Sequence, residues 1–112
     1  MKILYFEQGK DPEVRNIKRD LAVEQKLVGG HIEVYPVNEK ILIVCDEEGW
    51  NKGLPINRAV VDWDGIAHEY IRGNFFVCRA GEEDFKSLTD RQVDRILRYS
   101  KKYQKEFPGW LN

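Results

Sequence analysis

Strict alternation, unbroken apolar runs and helical recurrence follow one another along this chain, and each predicts a different element. Lys2 to Glu7 is rich in Ile, Tyr and Phe and reads as a first strand, closed by the turn-forming cluster Gly9-Lys10-Asp11-Pro12. A polar stretch leads to Asp20, whose carboxylate suits the cap of a short helix over 20–28. Gly29-Gly30 stops that helix, because glycine takes the left-handed conformation at little cost. Leu21, Gln25 and Val28 share one helical face, the face expected inside. From His31 to Val37, Ile32 and Val34 alternate with Glu33 and Tyr35, so one side of this strand should be dry and the other wet. Pro36 places its end near a sheet edge. Ile41 to Cys45 is apolar throughout, as in a central strand buried on both faces.

A polar loop from Asp46 to Arg58 comes next. Val60 to Trp63, then Asp64-Gly65, then Ile66 to Glu69 predict a hairpin, since Asp-Gly suits the turn whose twist matches paired strands. Phe75 to Arg79 reads as a further strand after Gly73-Asn74. Thr89-Asp90-Arg91-Gln92 is a capping box, and Val93, Ile96, Leu97 and Tyr103 recur at helical spacing up to Pro108-Gly109. The fold expected is a single α+β domain over 1–112. It has a mainly antiparallel sheet, a short helix near 20–28, and a long C-terminal helix near 90–106 that covers one sheet face.

Composition agrees with one core and narrows the setting. The chain has 112 residues, 42% hydrophobic and 33% charged, and no apolar run approaches the ~20 residues that cross a bilayer. Met1 to Glu7 lacks the long apolar stretch of a signal peptide, so a cytoplasmic location without membrane contact is expected. Eighteen basic and 19 acidic residues give a net charge of −1, too balanced for a long-range field. Arg91, Arg95, Arg98, Lys101, Lys102 and Lys105 cluster on the last helix and read as a solvated face. Cys45 and Cys78 each lie in an apolar run, as buried thiols do, rather than as a bridge.

Candidate chemistry is sparse. Ser87, Ser100 and Thr89 are the aliphatic hydroxyls, Thr89 is committed to capping, and no Gly-x-Ser-x-Gly elbow occurs, so no catalytic residue is assigned. His31, Cys45, His68 and Cys78 contain no short-spaced pair of the kind that pre-positions zinc ligands. Asp46-Glu47-Glu48 carries too few carboxylates for two-metal chemistry, so neither a metal nor a cofactor is expected. The segment Glu47-Glu48-Gly49-Trp50-Asn51-Lys52-Gly53-Leu54-Pro55-Ile56-Asn57-Arg58 is the candidate recognition loop. Arg58 offers a planar fork for phosphate or carboxylate, Asn57 a paired donor and acceptor, Trp50 a stacking face, Lys52 a mobile charge, and Glu47 and Glu48 acceptors. The same residues equally suit a plain surface turn in which Arg58 pairs with Glu47 or Glu48. Phe75 and Phe76 must face opposite sides of a sheet. Whichever points outward, together with a face left bare by the last helix, would favour a homo-oligomer. Phe107 and Trp110 either dock the tail or reach a partner.

Three blocks, Leu27-Val28-Gly29-Gly30-His31-Ile32-Glu33, Val44 to Gly49 with Gly53 to Ala59, and Ile71 to Val77, resemble the bacterial and phage domain-of-unknown-function family numbered 3846 over residues 1–96. The segment 97–112 is then a C-terminal helical extension. The resemblance puts polar emphasis on Glu47, Glu48, Asn57 and Arg58, with Trp50 an addition to the loop. It points to phages and mobile elements. It thereby implies a non-enzymatic counter-defence protein that sequesters a small anionic or nucleotide-like immune signal in the host cytoplasm. The alternative from a different class is a protein-binding inhibitor of a host defence enzyme, such as a CRISPR or restriction component.

Overall fold

The computed structural model describes residues 1–111. In chain order the elements are β1 (Lys2–Phe6), β2 (Glu13–Asn16), α1 (Leu21–Val28), β3 (Ile32–Pro36), β4 (Ile41–Asp46), β5 (Ile56–Val61), β6 (Ala67–Arg72), β7 (Phe75–Ala80), β8 (Phe85–Lys86), α2 (Asp90–Lys102) and β9 (Glu106–Pro108). The class is α+β and the pairing mainly antiparallel, as the pattern predicts. The strands nevertheless divide into two sheets. The larger runs β2-β1-β7-β4-β3 with β8 on the far end of β7, and the smaller runs β6-β5-β9.

Period-two alternation builds both sides of the larger sheet. Leu4, Phe6, Ile41, Ile43, Cys45, Phe75 and Val77 face the small sheet and α2, where Val60, Ile71, Phe107, Val93 and Ile96 meet them. Ile3, Tyr5, Val44, Phe76 and Cys78 face the other way, onto Val28 of α1. The face expected to be bare is therefore covered, and both Phe75 and Phe76 are fully buried. Neither Phe is left for a subunit contact. Cys45 and Cys78 are free and buried on opposite faces.

The helices begin where their caps predict. Asp20 accepts from the N–H groups of Ala22 and Val23, and Gly29 closes α1 at φ 86°. The α1 face is rotated from expectation. Leu21 is 53% exposed, while Glu24 is fully buried beside Val28, because the Arg19 guanidinium reaches Glu24 at 2.6 Å and Asp84 at 2.5 Å. Burial still pushes the Glu24 carboxyl up, against the pull of Arg19. In α2 the Thr89–Gln92 capping box is complete, but the helix ends at Lys102 rather than near 106. Residues 106–108 instead form β9, which pairs parallel with β5 through Ala59 and Glu106. Phe107 is thereby sealed in the core, and Trp110 stacks on Trp63 with centroids 4.1 Å apart. Strand β3 lies at the edge, as Pro36 predicts, yet Val34 is exposed there instead of sharing a dry face with Ile32. The short strands β2, β8 and β9 carry no readable alternation.

Candidate functional site

The loop between β4 and β5 is a stack of short turns hung on one buried carboxylate. Gly49 N–H donates to Asp46 O, Lys52 N–H to Glu48 O, Gly53 N–H to Trp50 O, and Leu54 N–H to Gly49 O. The Asp46 side chain, 1% exposed, accepts from Lys52 Nζ at 2.6 Å and from Glu48 N–H at 2.9 Å. Lys52 Nζ also donates to Gly29 O. A Cβ at Gly30 would lie 2.8 Å from both Asp46 Oδ1 and Lys52 Nζ, so a larger residue there would have to displace this ion pair. Glu48 accepts from the Asn51 amide at 2.7 Å. Trp50 stands 76% exposed, its ring covered on one side by the Arg72 guanidinium at 4.5 Å. Arg72 is itself held by a bond to Leu54 O.

The six residues assigned to recognition separate into two groups. Glu47, Glu48, Trp50 and Lys52 sit on the loop, though Lys52 is neutralised by Asp46. Asn57 and Arg58 do not belong to the loop. They lie near the start of β5, the central strand of the small sheet, and are 3% and 7% exposed. The Asn57 amide donates to Phe6 O at 2.9 Å and Gly73 O at 2.8 Å, and its Oδ1 accepts from Arg58 Nη1 at 2.8 Å. Arg58 lies over the Phe6 ring at 5.2 Å, makes no ion pair with Glu47 or Glu48 among the described residues, and has its pKa held below the guanidinium value by burial. The outward cationic fork expected at position 58 is therefore an inward strut. The register of β5 decides this, because the chain must re-enter the core to pair with β6 and β9.

A cleft opens beside Trp50 where β3 and β6 diverge. It is lined by Glu33, Val34, Tyr35, Cys45, Asp46, Glu47, Gly49, Trp50, Glu69, Tyr70, Ile71 and Arg72, with a volume of about 170 Å³. Glu33, Glu47 and Glu69 have no ion-pair partner among the described residues, leaving Arg72 as the facing cation. Burial and the nearby Glu33 and Glu69 push the Cys45 thiol up to about 12, so it carries no thiolate at neutral pH. Glu47 N–H bonds to His31 O and Val37 N–H to Ile41 O. With the β3–β4 register, this parity turns the N–H and C=O groups of Ile32 and Val34 to the free edge of β3. Glu33, Val34, Glu69, Tyr70 and Arg72 carry no local motif. Alternation along β3 places Glu33 on a wet face but Val34 on a dry one, and the meeting of these five residues across two sheets is not legible.

Metal-ligand geometry does not assemble. Cys45 and Cys78 lie on opposite faces of the sheet, His31 contacts Gln25, and His68 contacts Asp62 at 2.7 Å. Among the described residues no group of three His, Cys, Asp or Glu side chains is placed to hold an ion.

Fold and cleft together define a small α+β protein of two packed sheets, with an acidic, aromatic groove where their edges part. A family model, Domain of unknown function (DUF3846), matches residues 1–104, and the chain belongs to that family. The match runs beyond residue 96 and takes in all of α2. No curated protein and no solved structure matches the chain.

Proposed function

We propose that this is a non-enzymatic binding protein that engages a protein partner through the cleft beside Trp50, with the partner presenting a basic, extended segment. The observation that carries this reading is the grouping of exposed Trp50, Tyr70 and Val34 with three unpaired carboxylates in one groove. Tryptophan, tyrosine and arginine supply most of the energy in protein interfaces, and Arg72 already holds the Trp50 ring in place. The free edge of β3 offers main-chain groups at Ile32 and Val34 for an added strand. The groove volume, about 170 Å³, falls below the roughly 300–1,000 Å³ of small-molecule sites. Its excess of carboxylates opposes an anion, so a nucleotide-like ligand at this loop ranks second. No activated nucleophile stands in this cleft: burial pushes both thiols up to about 12, Ser87 Oγ and Thr89 Oγ accept from Lys2 N–H and Gln92 N–H, and Ser100 Oγ is buried with no hydrogen-bond partner among the described residues. The resemblance to phage and mobile-element proteins makes a host defence enzyme in the cytoplasm the partner class we favour.

The test is fluorescence anisotropy with a panel of labelled Lys- and Arg-containing extended peptides. Binding that weakens at least about 30-fold in Trp50→Ala and falls with added salt supports the reading. A panel bound equally by wild type and Trp50→Ala ends it, as does a nucleotide that stabilises the wild type but not Trp50→Ala.

A further inference from the structure

On the other flank of the molecule, α2 closes against the end of the large sheet and forms a hollow of about 490 Å³ lined by Lys40, Arg79, Ala80, Thr89, Arg91, Gln92 and Arg95. From its four cations, we infer that this hollow is a binding site for a small anion bearing adjacent phosphates, of the pyrophosphate or nucleoside polyphosphate class. The site is separate from the Trp50 cleft and does not depend on it.

The cations converge from three elements. Lys40 stands at the entry to β4, Arg79 near the end of β7, and Arg91 and Arg95 one turn apart on α2. Lys2, Lys10, Arg15, Arg19, Lys52 and Arg98 all pair with carboxylates. None of the four cations of the hollow does so among the described residues, and no carboxylate lines it. Arg91 and Arg95 repel each other at the i, i+4 spacing, and Arg79, half-buried, adds a third positive charge with its Nε–H committed to Ser87 O. This arrangement opposes folding and is relieved when an anion enters. Neutral groups complete the site. The Thr89 Oγ accepts from Gln92 N–H, leaving its hydroxyl hydrogen to donate, and the hollow sits at the positive end of the α2 dipole. The volume falls within the range of small-molecule sites, and four separated cations match a chain of phosphates better than one. No aromatic side chain lines the hollow, so selection acts on the phosphates and not on a stacked base. Sequence alone shows only the helical half of this site, since Lys40 and Arg79 are far from Arg91 in the chain.

Calorimetric titration and thermal unfolding of the full chain, with inorganic pyrophosphate, triphosphate and ATP as probes and sulfate as a control, test the site. The variants are Lys40→Ala and Arg91→Ala, both exposed, with Arg98→Ala outside the hollow. Saturable binding of triphosphate is expected, with a raised unfolding midpoint, about tenfold weaker binding in each hollow variant, and no change in Arg98→Ala. Three results overturn the inference: no midpoint shift with millimolar triphosphate, equal losses in all three variants, or a single-stranded oligonucleotide bound far more tightly than triphosphate with Arg98→Ala as damaging as Arg91→Ala. The last would indicate a strand tracking along α2 instead of a small anion.

Discussion

Trp50 and Arg58 belong to one polar segment, yet the first is 76% exposed and the second 7%. Up to Pro55 every turn of the loop is closed by its own backbone and by Asp46, so side chains such as Trp50 are free to face solvent. From Ile56 the backbone is committed to pairing with β6 and, from Ala59, with β9. A register shift in β5, the central strand of the small sheet, leaves Asn57 between the Ile56–Arg72 and Arg58–Ile71 pairs, and this irregularity lets both Asn57 and its neighbour Arg58 be buried. Residues alike in their capacity to bind a ligand are thus divided by backbone pairing into a surface group and a structural group.

The largest effect that would break this division is at Asn57. Asn57→Ala strips the buried carbonyls of Phe6 and Gly73 of their donor and should cost about 3 kcal/mol in urea unfolding. A cost near zero would return Asn57 to the surface group. Arg58→Ala removes the guanidinium stacked on Phe6 and should cost about 2 kcal/mol, without altering partner affinity. Arg58→Met should recover most of that, because an apolar side chain fills the site with no charge to desolvate. A surface ligand contact would give the reverse outcome, with affinity lost and stability kept.

A third measurement probes the core that separates the two groups. Cys45 and Cys78 titrate at 9.0 when unperturbed and are raised to about 12 in the fold. Their folded pKa values exceed the unfolded ones, so their stabilising contribution is complete below pH 9 and declines as pH rises from 9 to 12. Alkylation by iodoacetamide at pH 8 should be negligible in the folded protein and complete in urea. The smallest effect on stability is at Trp50. Trp50→Ala should change unfolding by no more than about 0.5 kcal/mol while costing partner binding about 2 kcal/mol or more. A large loss of stability there would mean that the Trp50–Arg72 contact is structural.

Much of the architecture was legible. The caps at Asp20 and Thr89, the stop at Gly29, the doubly buried run Ile41 to Cys45 and the Asp-Gly hairpin act through neighbours in the chain, and each formed where the residues predicted. The site was legible only in part. Glu47, Glu48, Trp50 and Lys52 are on the loop, but Glu33, Glu69, Tyr70 and Arg72 come from strands whose encounter no local pattern records. The C-terminal boundary misled for the same reason: Lys105 to Pro108 has no strong preference of its own, and pairing with β5 decided its conformation.

The amino-acid sequence alone determined where the two helices and the strands β1, β4 and β7 begin, and that an α+β fold would form, because propensity, capping and alternation operate over a few residues. Tertiary structure alone decided that the strands split into two sheets, that Arg58 turned inward, that three carboxylates gathered around Trp50, and that Lys40 and Arg79 joined Arg91 and Arg95. These outcomes depend on contacts between distant segments. Their energies arise only when burial and pairing are satisfied together throughout the fold.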